Sequence, residues 1–154
     1  MKERVCNNKN QKKNPGVLLS AVSSNSGKTA AACGLMSAFK QTGKRVSACK
    51  CGPDYIDPMF HREVLGVDSK NLDLFFSEEE VLKEEYLRHT KDADITITEG
   101  VMGFYDGMSL DSVKGSSYDV AQTLGLPVIL VINARGAAMT LAAVVKGIAE
   151  FSSG

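Results

Sequence analysis

The chain has 154 residues, of which 44% are hydrophobic and 23% are charged, and this composition is typical of a single globular domain with a sizeable core. Its 18 basic residues balance its 18 acidic residues, so the chain has no net field to hold nucleic acid, and we expect no nucleic-acid partner. It contains no run of about 18 apolar residues of the kind that spans a bilayer, and we expect no membrane partner.

The N-terminal segment differs in composition from the rest of the chain. Residues 1–14 carry five basic side chains against one acidic side chain, and they lack the apolar core of a signal peptide. We therefore expect a flexible basic leader over residues 1–14 and a folded domain over residues 15–154. The spacing of the four cysteines suits neither a disulfide framework nor a zinc site, which favours reduced thiols and a cytoplasmic location.

Predicted strands and helices alternate along the folded domain. Short apolar runs predict four strands, over residues 16–22, 45–49, 94–98 and 128–132. Helical spacing of apolar residues and end signals predict four helices, over residues 27–41, 77–89, 117–124 and 137–151. Gly43 is expected to stop the first helix, and Ser77 with Glu80 is expected to form a capping box at the start of the second.

A phosphate-binding loop is predicted between the first strand and the first helix. Residues 22–29 match the pattern G-x-x-x-x-G-K-[ST], except that Val22 replaces the first glycine. Backbone N–H groups and the helix N-terminus would surround the phosphates of ATP, with the positive charge of Lys28 at the outer ones and the hydroxyl of Thr29 on Mg²⁺. The alternative is an ordinary helix start with Ser26 as its cap. The nucleotide-binding candidates are Ser24, Asn25, Ser26, Gly27, Lys28 and Thr29.

Strand–helix alternation with this loop predicts an α/β fold of the P-loop NTPase type. We expect three layers, with a mainly parallel sheet between helices on both faces and a ligand crevice at the carboxyl ends of the strands. Because only four strands are predicted, we expect the sheet to be C-terminally truncated. Its exposed edge favours a homodimer.

Two acidic clusters follow predicted strands and would lie at that crevice. Residues 50–58 follow the second strand, and residues 99–107 follow the third. Carboxylate and hydroxyl oxygens are suitable ligands for Mg²⁺ beside a phosphate, so Asp54 and Glu99 join Thr29 as candidate metal ligands. For either cluster taken alone, turn formation around Gly and Pro is the alternative.

The sequence resembles the cobyrinic acid a,c-diamide synthases, within the dethiobiotin-synthetase-like P-loop amidoligases. The resemblance lies in six blocks that run through nearly all of the chain after residue 16: residues 23–29 (SSNSGKT), 50–61 (with GPDYIDPMFH), 71–73 (NLD), 99–107 (EGVMGFYDG), 115–117 (GSS) and 133–136 (NARG). Cobyric acid synthases and nickel-sirohydrochlorin diamide synthases share parts of these blocks. The substrate is therefore left open between cobyrinic acid, its metal-free counterpart and a nickel tetrapyrrole.

This resemblance implies an ATP-dependent ligase that amidates the a and c acetate carboxylates of a tetrapyrrole during cobalamin biosynthesis. ATP would phosphorylate each carboxylate, and ammonia derived from glutamine would attack the acyl phosphate. The resemblance implies that Lys28 acts with Lys50, Asp57 and Asp106 near the γ-phosphate and the incoming carboxylate. It also implies substrate contacts for Tyr55, Asp73, Ser116 and Ser117.

Full-length members of this family carry a glutaminase domain with a cysteine nucleophile, and we expect that domain to be absent here. None of the four cysteines has glycines at the two flanking positions of a nucleophile elbow. The sequence His61-Arg62-Glu63 resembles part of a glutaminase triad, and we interpret this resemblance as coincidence. Ammonia would then come from a glutaminase domain that this chain lacks.

Two other functions remain as alternatives. One is a P-loop ATPase switch like those that position chromosomes or division sites. Such switches resemble this chain in the loop, but they carry a lysine five residues before the main one, where this chain has Ser23. The other is a fragment that binds ATP or phosphate without turning it over.

Overall fold

A computed structural model describes residues 15–151, so the predicted leader lies outside the described residues. The described strands are β1 (Gly16–Ala21), β2 (Val46–Cys51), β3 (Ser69–Leu72), β4 (Ile95–Glu99) and β5 (Val128–Val131). The described helices are α1 (Lys28–Gln41), α2 (Ile56–Glu63), α3 (Glu79–Thr90), α4 (Ser117–Leu124) and α5 (Thr140–Glu150). None of these helices is long and apolar enough to cross a bilayer.

The five strands form one parallel sheet in the order β3-β2-β4-β1-β5. The register pairs Lys50 of β2 with Glu99 of β4, at the carboxyl ends of both strands. Gly16 to Leu19 of β1 pair with Thr96 to Glu99 of β4, so β1 also ends at this edge. Parallel strands that end together create a crevice at that edge, and this is where the predicted motifs lie.

Two hydrophobic cores cover the two faces of the sheet. On one face, Leu18 packs with apolar residues of α3 and α4, including Leu82 and Val120. On the other face, Leu19 packs with Ala32 and Met36 of α1. Leu18 and Leu19 are neighbours in β1, and successive strand residues point to opposite faces, so one apolar run supplies both cores. The predicted three-layer α/β fold is confirmed.

The structure contains two elements that the sequence patterns did not predict. The strand β3 adds a fifth strand to the expected four, and α2 occupies a segment that was interpreted as an acidic loop. Pro58 is the third residue of α2, and a proline is tolerated there because N–H groups of the first turn have no partner within the helix.

Two predicted helix starts are wrong in detail. The capping box of Ser77 with Glu80 does not form, because α3 begins later, after Glu78, and no side chain caps it. The Ser77 N–H instead donates to the carbonyl of Asp73. The last helix begins at Thr140, three residues later than predicted.

The β5 side of the sheet is less covered than the β3 side. The edge strand β5 leaves Val128 and Ile129 exposed, and no residue of α5 is buried. The helix is held through the loop after β4. There the Tyr105 hydroxyl donates to the carbonyl of Ile148 at 2.7 Å, and the ring of Tyr105 lies 5.0 Å from that of Phe151.

Candidate functional site

The phosphate loop connects the end of β1 to the start of α1, as predicted. Asn25 and Gly27 have φ angles of 58° and 91°, and these left-handed conformations turn the backbone through the loop. The Ser26 hydroxyl donates to the carbonyl of Ser23 at 2.9 Å and closes the turn from within. Ser24, Asn25 and Gly27 are exposed and line the crevice, where a phosphate would meet the N-terminus of α1.

Lys28 turns back into this loop. Its ammonium group donates to the carbonyl of Ser23 at 3.1 Å and to that of Met102 at 2.6 Å. Met102 has a left-handed φ of 46°, and its carbonyl joins the loop after β4 to the phosphate loop. Burial and the nearby charge of Lys50 lower the pKa of Lys28. Both partners are neutral carbonyls, so an anion at this position would offset the cost of burying the lysine charge.

A cluster around Glu99 lies beside the phosphate loop. Glu99 has no exposed surface, and its Oε1 atom accepts from the Thr29 hydroxyl at 2.5 Å and from the Lys50 ammonium at 2.9 Å. Lys50 also pairs with Asp57 Oδ2 at 2.6 Å. Burial lowers the pKa of Lys50, but the hydrogen bond to Asp57 and the charge of Glu99 outweigh it, so that its pKa is raised. Lys50 is therefore a buried cation between two carboxylates.

The N-terminus of α2 is built from the acidic cluster of residues 50–58. Asp54 Oδ1 accepts from the N–H groups of Ile56 and Asp57 at 2.8 and 3.3 Å and so supports the first turn of the helix. Asp54 Oδ2 lies 3.8 Å from the Lys50 ammonium. Tyr55, one residue before the helix, is 82% exposed and is free to meet a ligand.

These groups line a cavity of about 420 Å³ at the carboxyl edge of the sheet. Its walls are the phosphate loop, the ends of β2 and β4, and the loop after β4; the lining residues are Ser24, Asn25, Gly27, Lys28, Thr29, Lys50, Glu99, Gly100, Val101 and Met102. The cavity brings together every predicted nucleotide-binding residue except Ser26, which supports the loop from within. The predicted metal ligand Asp54 lies behind Lys50 rather than on the cavity wall.

Residues 15–151 contain no group of three or more His, Cys, Asp and Glu side chains arranged to hold a metal ion alone. The exposed Thr29 hydroxyl and Glu99 Oε1 nevertheless lie together at the cavity, and both are hard oxygen donors of the kind that Mg²⁺ accepts. Magnesium commonly takes one or two protein oxygens and completes its coordination with waters and phosphates. The donor set therefore fits Mg²⁺ that arrives with a nucleotide.

A second, mainly apolar cavity of about 280 Å³ adjoins the first and shares Val101 and Met102 with it. Asp73 lines this second cavity together with Phe75 and Phe76, whose side chains are more than half exposed. Asp73 Oδ1 accepts from the Phe75 N–H at 2.8 Å, whereas its Oδ2 is buried without a hydrogen-bond partner. A buried carboxylate oxygen left without a donor is costly to the fold.

The other predicted site residues have structural partners. Asp106 Oδ2 accepts from the Gly103 N–H at 2.8 Å and closes the loop after β4. Ser116 caps α4 by accepting from Asp119 N–H at 3.2 Å. Ser117 both accepts from the N–H of Val101 and donates to its carbonyl, at 2.9 and 3.0 Å. Ser116 and Ser117 have no exposed surface, so in this arrangement neither touches a substrate directly.

The sequence patterns missed two groups in this site. The Met102 carbonyl was missed because a backbone acceptor has no residue-type signal. The sequence around His61 was interpreted only as a chance likeness to a glutaminase triad, and no role in this site was predicted for the residue. His61 is fully buried, and its Nε2 lies 3.7 Å from Glu99 Oε2. Burial lowers the pKa of His61.

A loop between a buried strand and a helix, with its lysine turned back over the loop, is the arrangement in which P-loop proteins hold nucleotide phosphates. The chain is a P-loop nucleotide-binding domain. Residues 17–151 match the CbiA family model, described as CobQ/CobB/MinD/ParA nucleotide binding domain, and the chain belongs to this family.

Similar proteins carry one name. The chain is 44% identical to the cobyrinate a,c-diamide synthase of Priestia megaterium over 124 residues, which are 80% of this chain and 27% of that protein. It is 44% identical over 135 residues to the synthase of Clostridium tetani, covering 88% of this chain and 30% of the relative. The synthase of Picrophilus torridus is also 44% identical over 132 residues, with coverage of 86% and 30%. The chain thus spans less than a third of the length of these relatives.

Proposed function

We propose that this chain is the ATP-using part of a cobyrinate a,c-diamide synthase in cobalamin biosynthesis. Its reaction would convert the a and c acetate carboxylates of a tetrapyrrole to amides. The observation that carries the proposal is the cavity where the phosphate loop faces a buried lysine and carboxylates. The relatives' shared name, at 44% identity, supplies the substrate class.

The proposed chemistry activates a carboxylate by phosphorylation, because a carboxylate is a poor electrophile until one oxygen becomes a good leaving group. Phosphoryl transfer needs positioning and charge neutralisation more than covalent help. Lys28 would neutralise the outer phosphates, and the N–H groups of the loop would hold them. The positive charge of Lys50 would lie where the γ-phosphoryl group meets the substrate carboxylate. Ammonia would then attack the acyl phosphate and release inorganic phosphate.

Magnesium, when bound with the nucleotide, would supply further charge neutralisation on the transferred group. Thr29 and Glu99 would hold it, with Asp54 as a ligand in the outer sphere, since Asp54 lies behind Lys50 and supports α2. Asp57 would keep Lys50 charged and oriented. Asp106 closes the loop after β4 and would lie near the incoming substrate carboxylate.

The apolar cavity beside the nucleotide cavity, at about 280 Å³, would take an edge of the tetrapyrrole rather than the whole ring. Asp73 with its unpartnered oxygen lines that cavity and would contact the substrate, and the exposed Tyr55 would contact it from the start of α2. Ser116 and Ser117 would act indirectly, by holding the loop after β4 against α4. Ammonia would come from the glutaminase part of a longer protein or of a partner chain.

The switch function is not favoured by the loop. In those ATPases a second lysine stands five residues before the main one, and here that position is Ser23, whose carbonyl accepts from Lys28.

For the homodimer, the exposed β5 edge is the surface that would pair. Light scattering tests it, and a monodisperse monomer would count against the dimer.

Calorimetric titration with ATP and Mg²⁺ tests the proposal on this chain. Lys28→Ala removes charged hydrogen bonds to phosphate, and we expect affinity to fall by at least about tenfold. Lys83→Ala is the matched control, because Lys83 lies on the surface of α3 in a loose pair with Glu79. Cobyrinic acid and ammonia are then added, and phosphate release is measured.

Tetrapyrrole-dependent phosphate release that is lost in Lys28→Ala would support a working synthetase site. Binding without release would indicate the alternative of a nucleotide-binding fragment that turns nothing over. Equal binding by the wild type and Lys28→Ala, or no binding by either, would contradict the proposal for this chain.

A further inference from the structure

His61 lies beneath the carboxylate cluster, at the junction of three elements. It belongs to α2, its Nδ1 lies 3.1 Å from the hydroxyl of Ser69 in β3, and its Nε2 faces Glu99 at the end of β4. The His61 carbonyl accepts from the N–H of Val67 at 2.9 Å, which ties the end of α2 to the start of β3. The imidazole is therefore held in place from its backbone and from one ring nitrogen.

Glu99, which faces Nε2, favours one of the two ring tautomers, and Ser69 can pair with either. If Nδ1 carried the proton, the lone pair of Nε2 would face the Glu99 carboxylate, and two acceptors would be buried against each other. If the Ser69 hydroxyl donates to Nδ1, the proton is on Nε2 and points at Glu99. A serine hydroxyl rotates freely to donate or accept, so the second arrangement satisfies more groups.

The facing atoms have no other partner. His61 Nε2 and Glu99 Oε2 are both buried without a hydrogen bond, 3.7 Å apart, and a buried polar group without a partner is costly. A movement of about 1 Å would bring them to the usual hydrogen-bond distance. The other oxygen of Glu99 is already shared by Thr29 and Lys50.

We propose that His61 is a positioning residue for Glu99, with an imidazole that directs its Nε2 proton at Glu99 Oε2 and so leaves Oε1 facing the phosphate loop. The inference rests on the proposed function in one respect, which is that Glu99 serves the Mg²⁺ bound with the nucleotide. The Ser69 hydroxyl can donate to Nδ1 and so supports this tautomer, and His61 fixes the rotation of the carboxylate. This resembles the way in which outer partners of a metal ligand orient it.

Two matched substitutions separate positioning from packing. The amide nitrogen of glutamine can replace histidine Nε2, and that of asparagine can replace Nδ1. His61→Gln therefore keeps a donor toward Glu99 and loses the bond to Ser69, whereas His61→Asn keeps the bond to Ser69 and loses the donor. A purely structural histidine predicts no such difference in metal affinity between the two.

The measured quantity is the ratio of ADP dissociation constants without and with Mg²⁺, which isolates the contribution of the metal. We expect His61→Gln to keep this ratio and His61→Asn to lower it by about tenfold or more, the usual loss when an outer partner of a metal ligand is removed. Circular dichroism melts check that both variants fold. Equal ratios for the two variants would overturn the proposal.

The ligand-free protein gives an independent test by long-range ¹H–¹⁵N NMR of the imidazoles. The sequence contains two histidines, so His89→Gln assigns both sets of signals. We expect His61 to carry its proton on Nε2, and Glu99→Gln to move the Nε2 signal. A proton on Nδ1, or an Nε2 signal that Glu99→Gln leaves unchanged, would overturn the proposal.

This second test also serves where His61→Asn does not fold, since Ser69→Ala then probes the tautomer instead. Loss of the Ser69 hydroxyl should shift the Nδ1 signal and leave the proton on Nε2, because Glu99 still faces that nitrogen, and a proton on Nδ1 would overturn the proposal. If the wild-type chain binds no ADP with Mg²⁺, the proposed function fails, and the NMR result still decides the pairing of His61 with Glu99.

Discussion

Replacing Lys50 with methionine should strongly destabilise the chain. Lys50 is 5% exposed, and its ammonium lies 2.6 Å from Asp57 and 2.9 Å from Glu99, which has no exposed surface. Methionine keeps the aliphatic packing and removes the charge, so two carboxylates are left facing each other. Breaking a buried pair by removing one partner typically costs about 3–5 kcal/mol, because the remaining charge has no compensation.

Urea unfolding followed by circular dichroism measures this cost. With a slope of about 2 kcal/mol per molar urea, a loss of about 4 kcal/mol lowers the midpoint by about 2 M. Lys83→Met, a surface control on α3, should change stability by less than about 0.5 kcal/mol. The double variant Lys50→Met with Glu99→Gln should recover about 1–3 kcal/mol relative to the sum of the single effects. A midpoint shift below about 0.5 M, or strict additivity, would refute this reasoning.

Three further predictions concern the rest of the domain. The side-chain hydrogen bond from Arg45 lowers the pKa of Asp94 from 3.8 to about 2, so the pair stabilises the fold above pH 4 and loses its effect toward pH 2. Thermal melts should show Asp94→Asn below the wild type at pH 7 and level with it near pH 2, and a constant gap would contradict this. Gly100→Ala should cost about 1–3 kcal/mol in urea unfolding, because a Cβ there would lie 2.8 Å from the carbonyl of Leu19, and an unchanged midpoint would contradict it. Peptide-resolved alkylation should label Cys33 slowly, because burial raises the pKa of its thiol. The two buried cysteines of β2 should stay unlabelled until the chain unfolds.

Sequence patterns were sufficient for the parts of the fold that local chemistry determines. The phosphate loop is contiguous in sequence, and it lies between a buried apolar strand and an alanine-containing helix. The parallel sheet followed from alternation, and it predicted that Lys50 and Glu99 would meet at one edge. The proximity of Lys50 and Glu99 follows from the rule that neighbouring parallel strands end at the same edge of the sheet.

The unpredicted parts depend on contacts between distant residues. The strand β3 reads Ser-Lys-Asn-Leu, with buried residues only at its two ends, so no apolar period marks it, and it forms because β2 offers a parallel partner. The helix α2 was hidden by Pro58 and by the acidic residues around it. His61 could not be paired with Glu99 from sequence, since the pairing requires both elements to be in place.

Tyr105 joins the loop after β4 to the helix α5. Its hydroxyl and ring hold α5, which buries no residue of its own, and the next residue along is Asp106, which closes the loop. The contacts that hold α5 therefore belong to the same loop as the carbonyl of Met102, which accepts from the ammonium group of Lys28. One loop thus borders both α5 and the phosphate loop.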